Sequence, residues 1–184
     1  LPPLPGIEEE SCSEALMVAL QGVSYKRRLR YLTAAAPHGL HLFGRQWDDS
    51  SLSGELTEHS TGGPVPYGSD LSRLYRSSAI NLNILDAMMV DSINLRSFDV
   101  MASGGFLLSE YRPEYERTFV LGEEMDCFRT PEELVEKIEY YLAHPEIRSE
   151  IAGRGQRKVL GEHTITQRMR DLLSAGLPET GPEN

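Results

Sequence analysis

Cysteine, tryptophan and long apolar runs are all scarce in this sequence, and each shortage excludes a class of protein. Its 184 residues include 2 cysteines and 1 tryptophan. Cys12 and Cys127 lie far apart without metal-ligand spacing, so we expect two free thiols rather than a zinc site or a disulfide framework. No run approaches the roughly 20 apolar residues that cross a bilayer, so we expect no membrane span.

Basic residues are also few, because 18 Lys and Arg face 28 Asp and Glu and leave a net charge of −10. This balance argues against nucleic-acid or anionic-membrane partners. The opening LPPLPGIEEE lacks the basic and apolar regions of a secretory signal, so a cytoplasmic location is expected. The length favours one folded domain. We expect a linker over 1–14, the domain over 15–173 and a tail over 174–184.

Several motifs that would identify an enzyme are missing. There is no HExxH, no GxSxG, no P-loop and no GxGxxG after a predicted strand. The 5 histidines are not paired with the cysteines at ligand spacing. These absences predict a chain without a metal site, and they assign no catalytic residue.

Apolar runs alternate with helical patterns along the chain, and this order predicts repeated βα units. Strands are predicted at 15–20, 39–43, 80–85, 106–108 and 126–128, with an edge strand near 63–65. Helices are predicted at 25–36, 70–77, from 95 to the Gly104-Gly105 pair, and at 113–119, 131–143, 145–161 and 165–173. The run at 15–20 also fits a helix, since Ala, Leu and Met favour helices. The expected fold is α/β, with a Rossmann-like parallel sheet, helices on both faces and closing C-terminal helices.

The stretch from Tyr75 to Arg112 appears as strand, polar loop, helix, Gly-Gly turn and strand. A helix entered from a polar loop at a strand's carboxyl end presents free N–H groups and a positive dipole end to a crevice. Arg96 and Asp99 lie on its first turns, where the acid could accept two hydrogen bonds from a ribose diol. Alternatively, Asp99 is an ordinary helix-face charge and Asp91 an ordinary loop residue.

Three pieces of the sequence resemble the C-terminal donor-binding domain of group 1 glycosyltransferases, and its CgeB-type branch in particular. They are INLN, then NLRSFDVMASGGFLLSEYRPEYERTF, then DCFRTPEELVEKIEYYLAHPEIRSEIAGRGQRKVLGEHT. The resemblance covers about 65–173. More loosely, ALMVALQGVSYKRRLRYL and GLHLFGRQW resemble that family's opening βαβ unit.

The resemblance implies half of a GT-B fold, with a nucleotide sugar bound at the predicted helix. Retaining members carry two glutamates spaced E-x7-E, and Asp91 and Asp99 have that spacing with Asp in place of Glu. The second acid holds the ribose in that family, and Arg96 matches an arginine of the branch. An Arg and Lys pair holds the diphosphate in many relatives, and this sequence has no obvious match to it; Arg45 and Arg27 are the nearest candidates. The implied donor-binding residues are Arg27, Arg45, Asp91, Asn94, Leu95, Arg96 and Asp99.

The implied activity is transfer of a sugar from a nucleoside diphosphate sugar to an acceptor, with no metal or other cofactor. The acceptor domain would lie in a missing N-terminal half, so this chain alone should be inactive. Two alternatives stay open. One is a nucleotide-sugar 2-epimerase of the same fold, and the other is a degenerate binding or interaction module, which the Asp-for-Glu changes favour.

Overall fold

The computed structural model describes residues 9–44 and 54–176. Within them the chain alternates short parallel strands with helices. In order these are α1 Glu9–Ala35, β1 Leu42–Phe43, α2 Gly54–Thr57, β2 Ser60–Gly62, α3 Ser69–Ser77, β3 Asn81–Asn83, α4 Leu95–Ala102, β4 Leu107–Glu110, α5 Pro113–Thr118, β5 Asp126–Phe128, α6 Pro131–Ala143, α7 Pro145–Glu162 and α8 Ile165–Gly176.

The described strands form two parallel sheets. The larger has the order β3-β4-β5, with Asn81 opposite Leu107 and Ser109 opposite Cys127. The smaller pairs β1 with β2. Parallel strands flanked by helices confirm the predicted α/β class.

The core lies on both faces of the larger sheet because side chains alternate along each strand. Leu108 and Phe128 face a cluster with Tyr31 of α1 and Leu134 of α6. Leu107 belongs instead to the opposite cluster, which includes residues of α4, α5 and α7. Strand β4 is buried along its whole length, which explains its uninterrupted apolar start.

The predicted strand at 15–20 is wrong. These residues lie inside α1, a continuous helix of 27 residues. Ala, Leu and Met favour the helix, and a single glycine at 22 does not end it. The helix predicted over 25–36 is the second part of α1, and Ser24 lies within it, with its side chain bonded to Asp86. Among the described residues, α1 therefore occupies the place where the first strand of a βαβ unit was predicted.

The predictions for the second half of the chain agree with the structure closely, because capping and turn residues define its helix ends. The Thr130 hydroxyl accepts from the backbone N–H of Glu133 at the start of α6. Gly104, with φ of 79°, follows α4 in the left-handed conformation that glycine adopts without steric cost. Earlier in the chain, the strand predicted over 39–43 is reduced to β1, and the edge strand predicted near 63–65 is displaced, since β2 ends at Gly62.

No helix in the described ranges is long and apolar enough to cross a bilayer. Helix α1 begins at Glu9, and helix α8 ends at Gly176. The division into linker, domain and tail stays a prediction.

Candidate functional site

The carboxyl ends of β3, β4 and β5 meet at one edge of the larger sheet, as parallel strands must. The segment 84–94 leaves β3 there and leads into α4, and Tyr111-Arg112 leave β4 at the same edge. Helix α1 lies beside this edge, where Ser24 bonds to Asp86 and Tyr31 donates to the backbone oxygen of Arg129 at 2.9 Å. Crevices of this kind are where ligands bind in open α/β sheets.

The N-terminus of α4 faces this edge and is held by Asn94. Asn94 has extended backbone angles, and its side-chain oxygen accepts from the Ser97 N–H at 3.3 Å. The N–H groups of Leu95 and Arg96 are the first two of the helix and have no acceptor within it. They add to the partial positive charge of the helix end, which favours an anion.

A buried hydrogen-bond network fixes this helix end to the sheet. The Asn83 amide donates to the Asn94 side chain at 3.1 Å and accepts from it at 3.2 Å. The Tyr115 hydroxyl lies 2.7 Å from both the Ser97 and Ser109 hydroxyls. Because this network ties β3, β4 and α5 to the first turn of α4, the position of the helix end is set by buried polar contacts.

Glu110 and two arginines form a closed ion cluster at the same edge, here called the Glu110 cluster. The Glu110 side chain lies 3.4 Å from the Arg27 guanidinium and 3.5 Å from that of Arg112. Its other oxygen accepts from the Leu85 N–H at 3.1 Å, and Arg27 also donates to the Leu85 carbonyl at 2.7 Å. Arg112 further donates to the carbonyls of Met89 and Tyr111. Glu110 is thus the shared carboxylate of both arginines, and the cluster braces the segment 84–94.

Arg28 and Arg96 form the contrasting group, here called the arginine pair. Burial lowers the pKa of the Arg28 guanidinium, the nearby positive charge of Arg96 lowers it further, and Asp86 opposes both effects. Among the described residues neither arginine has a salt bridge within 4 Å. Two guanidinium groups whose charges interact at a helix N-terminus give a positive potential that suits a phosphate group.

Asp99 lies one turn beyond Arg96 on the same face of α4, towards α3. Its carboxylate accepts a hydrogen bond from the Tyr67 hydroxyl at 3.1 Å. Tyr75 of α3 interacts with both residues. Burial raises the pKa of its phenol, Arg96 lowers that pKa, and the charge of Asp99 raises it. The acid, the arginine pair and the helix end thus share one face of the crevice.

The predicted donor-binding residues are placed as follows. Asn94, Leu95, Arg96 and Asp99 lie together at the start of α4. Asp91 is exposed in the loop before it, and Arg27 is engaged in the Glu110 cluster. Arg45 lies outside the described residues. No ligand contact tests these assignments, so all seven stay predictions.

Sequence reasoning missed Arg28, Glu110 and Asp86. In the basic run at 26–30, Lys26 and Arg30 are exposed. Arg27 and Arg28 turn instead towards the sheet edge. The sequence carries one usable signal, since Asp86 follows β3 and Arg112 follows β4 within three positions, but it does not show that α1 supplies their partners.

Metal-binding side chains do not cluster at this edge. Within residues 9–44 and 54–176 no group of three or more His, Cys, Asp or Glu side chains could hold an ion. Cys127, predicted as a free thiol, is free and buried in the core, and burial raises its pKa to about 12.

Two solved structures are similar to this chain in fold. The C-terminal domain of a group 1 family glycosyl transferase, LpcC, from Francisella tularensis has a TM-score of 0.55 at 14% identity, covering 75% of this chain and 80% of that one. A sucrose-phosphate synthase from Thermosynechococcus elongatus has a TM-score of 0.58 at 17% identity, covering 82% of this chain and 44% of that one. The fold is thus that of a GT-B C-terminal domain.

The sequence itself assigns the family. The chain belongs to the glycosyl transferase-like family, whose model matches residues 25–174. No curated protein matches the chain. The chain covers less than half the length of the sucrose-phosphate synthase. The predicted group 1 glycosyltransferase relationship is therefore confirmed, and the CgeB-type branch stays a prediction.

Proposed function

We propose that this chain is the donor-binding domain of a glycosyltransferase, which holds a nucleoside diphosphate sugar at the N-terminus of α4 for transfer to an acceptor. The acceptor would bind to a second domain in the N-terminal half of the enzyme. The CgeB-type branch and a cytoplasmic location belong to the same proposal. Family membership supports the transferase class, and the geometry of the crevice supports the donor.

The observation that carries the proposal is the arginine pair beside a capped helix N-terminus. Like charges repel, so Arg28 and Arg96 would be more stable with an anion between or beside them. A diphosphate supplies several charged oxygens that match guanidinium groups and backbone N–H donors. The same groups would stabilise the negative charge that develops on the leaving diphosphate, which is the main electrostatic task in this reaction.

The remaining roles follow from position along α4. Asp99 lies one turn from Arg96, so a diphosphate at the helix end places the ribose hydroxyls near its carboxylate. Asp91 lies in the loop that precedes the helix, where the sugar would extend from the diphosphate. Asn94 caps the helix, and Leu95 provides one of the free backbone N–H groups at its N-terminus. No metal is required by this arrangement, because arginines and the helix end provide the positive charge.

The test is calorimetric titration of the chain with UDP, GDP and ADP. We expect one of them to bind with a Kd of roughly 0.1–1 mM, about −5 kcal/mol. Asp99→Ala should weaken that binding about 10- to 150-fold, because it removes charge-assisted hydrogen bonds of about 1.5–3 kcal/mol. Asp91→Ala should leave the bare diphosphate unaffected and weaken only the nucleotide sugar.

Matched variants make the result specific. Arg157, exposed on α7, offers a control arginine, and Arg157→Ala should bind as the native chain does. A native chain that ignores all three nucleotides would instead favour a degenerate interaction module. Sugar transfer catalysed by the purified chain would contradict the assignment of the acceptor site to another domain.

A further inference from the structure

Tyr67 is the most exposed of the large apolar and aromatic side chains described, at 75% relative exposure, yet its hydroxyl is engaged. It donates to Asp99 across 32 positions of sequence. The bond raises the pKa of the phenol, as a carboxylate acceptor must when it stabilises the protonated form. An exposed aromatic side chain bonded to the candidate ribose acceptor is not required for packing.

The backbone holds Tyr67 in place. Pro64 and Pro66 precede it and restrict the chain through their fixed φ angles. Gly68 follows with φ of 114°, a conformation that L side chains rarely adopt, and its carbonyl accepts from the Ser72 N–H at 2.9 Å. The segment 63–68 therefore enters α3 through a turn with few alternatives, and the phenol is presented to α4 at low entropic cost.

The carboxylate of Asp99 has little else to orient it. In the part of the chain that the structure describes, it has no salt bridge within 4 Å and Tyr67 is its hydrogen-bond donor. A short side chain on a half-exposed helix face would otherwise sample several rotamers. With Oδ1 bonded to the phenol, the plane of the carboxylate is restricted and Oδ2 remains available to a ligand.

We propose that Tyr67 is a positioning residue for the nucleotide, which orients the Asp99 carboxylate towards the ribose diol. This inference rests on the proposed function, since it needs a nucleotide whose ribose reaches Asp99. Tyr67 acts through Asp99 and through the two ribose hydroxyls, so its effect depends on the presence of those hydroxyls.

The experiment compares Tyr67→Phe with the native chain against three ligands. These are the nucleoside diphosphate that the native chain binds best, its 2′-deoxy form and its 2′,3′-dideoxy form. Tyr67→Phe should weaken the ribonucleotide about three- to tenfold, as expected for loss of one ordering hydrogen bond. Affinity for the dideoxy form should stay within twofold of native. Because Tyr67 is exposed, the variant should fold, and circular dichroism checks this.

Tyr140→Phe is the matched control, since Tyr140 is an exposed tyrosine of α6, and it should change no affinity. The inference is overturned if Tyr67→Phe leaves the ribonucleotide unaffected, weakens all three ligands equally, or strengthens binding. The last result would show that the phenol competes with the ribose. If Asp99→Ala abolishes binding while Tyr67→Phe does nothing, only this inference fails. If no nucleotide binds the native chain, the proposed function fails and the inference falls with it.

A second readout needs no ligand. In the native chain the phenol of Tyr67 should titrate at higher pH than in Asp99→Asn, as followed by NMR of labelled tyrosine. Equal titration in the two chains would show that the bond is absent in solution and would overturn the inference.

Discussion

The Glu110 cluster and the arginine pair lie at the same edge of the sheet, and α1 contributes one arginine to each. Arg27 is bonded to a buried carboxylate and a backbone carbonyl, whereas Arg28 makes no salt bridge within the described ranges and its pKa is lowered by the charge of Arg96. Successive helix residues point about 100° apart, so neighbours in sequence reach different surroundings. The comparison shows that neighbouring basic residues at a crevice can have different roles. Arg27 stabilises the fold, and Arg28 is a candidate to bind a ligand.

This difference predicts separable phenotypes. Changes in the Glu110 cluster should act on stability first, because Glu110 and Arg112 are buried and Glu110 is the shared carboxylate of both arginines. Changes in the arginine pair should act on ligand affinity first, because removal of one of two repelling cations costs the free protein little.

Glu110→Ala is expected to have the largest effect. It leaves Arg112 buried beside Arg27 without their shared anion and removes the acceptor of the Leu85 N–H. Loss of one partner of a buried ion pair costs about 3–5 kcal/mol of unfolding free energy. Urea denaturation of the native chain and the variant measures this loss of unfolding free energy. Glu110→Gln, which keeps an acceptor for Leu85, should lose less, and a loss below about 1 kcal/mol for the alanine variant would contradict a structural role.

Arg27→Ala and Arg28→Ala form the direct test of the comparison. We expect Arg27→Ala to lower the unfolding free energy by about 1–3 kcal/mol, since it removes a charged partner of Glu110 and the bond to the Leu85 carbonyl. Arg28→Ala should change it by no more than about 0.5 kcal/mol but weaken nucleotide binding roughly tenfold. Thermal unfolding and calorimetry on both variants decide this. Equal stability losses would remove the distinction between the two groups.

Asp86→Asn should have the smallest effect on the unfolding free energy, and the effect should depend on pH most strongly below about pH 5. The Met88 backbone N–H, the Ser24 hydroxyl and Arg28 lower the pKa of Asp86 below its ordinary value of 3.8, against a smaller effect of burial. A carboxyl with a lowered folded-state pKa contributes stability that is present above 3.8 and is lost as pH falls through the folded value. Urea midpoints measured from pH 5 to pH 2 should therefore fall less steeply in the variant.

The same variant sharpens the comparison at neutral pH. Asp86 is the carboxylate that opposes the effect of Arg96 on Arg28. Its neutralisation should raise affinity for the diphosphate by about two- to threefold, because the positive potential at the crevice increases. Weaker binding would show that Asp86 orders Arg28 for the ligand rather than competing with it.

Local signals in the sequence determined the second half of the fold and part of the candidate site. Thr130 with Pro131, Asn94, and the glycines after α4 fix helix ends through contacts within a few residues, so they can be identified without the fold. Strand β5 was predicted at its observed bounds. The start of α4, with Arg96 and Asp99 on one face, also follows from helical spacing after a polar loop.

Only the tertiary structure decided the remainder. Residues 15–20 were predicted as a strand although their composition also fits a helix, and their place in α1 was not fixed by local pattern. Arg27 reaches Leu85 across 58 positions, Ser24 reaches Asp86 across 62, and Tyr67 reaches Asp99 across 32. Such contacts depend on how α1 and the segment 63–68 pack against the sheet edge. The sequence therefore determined which residues could bind an anion, and the packing decided which of them are already engaged within the protein, since charge compensation depends on distance in space.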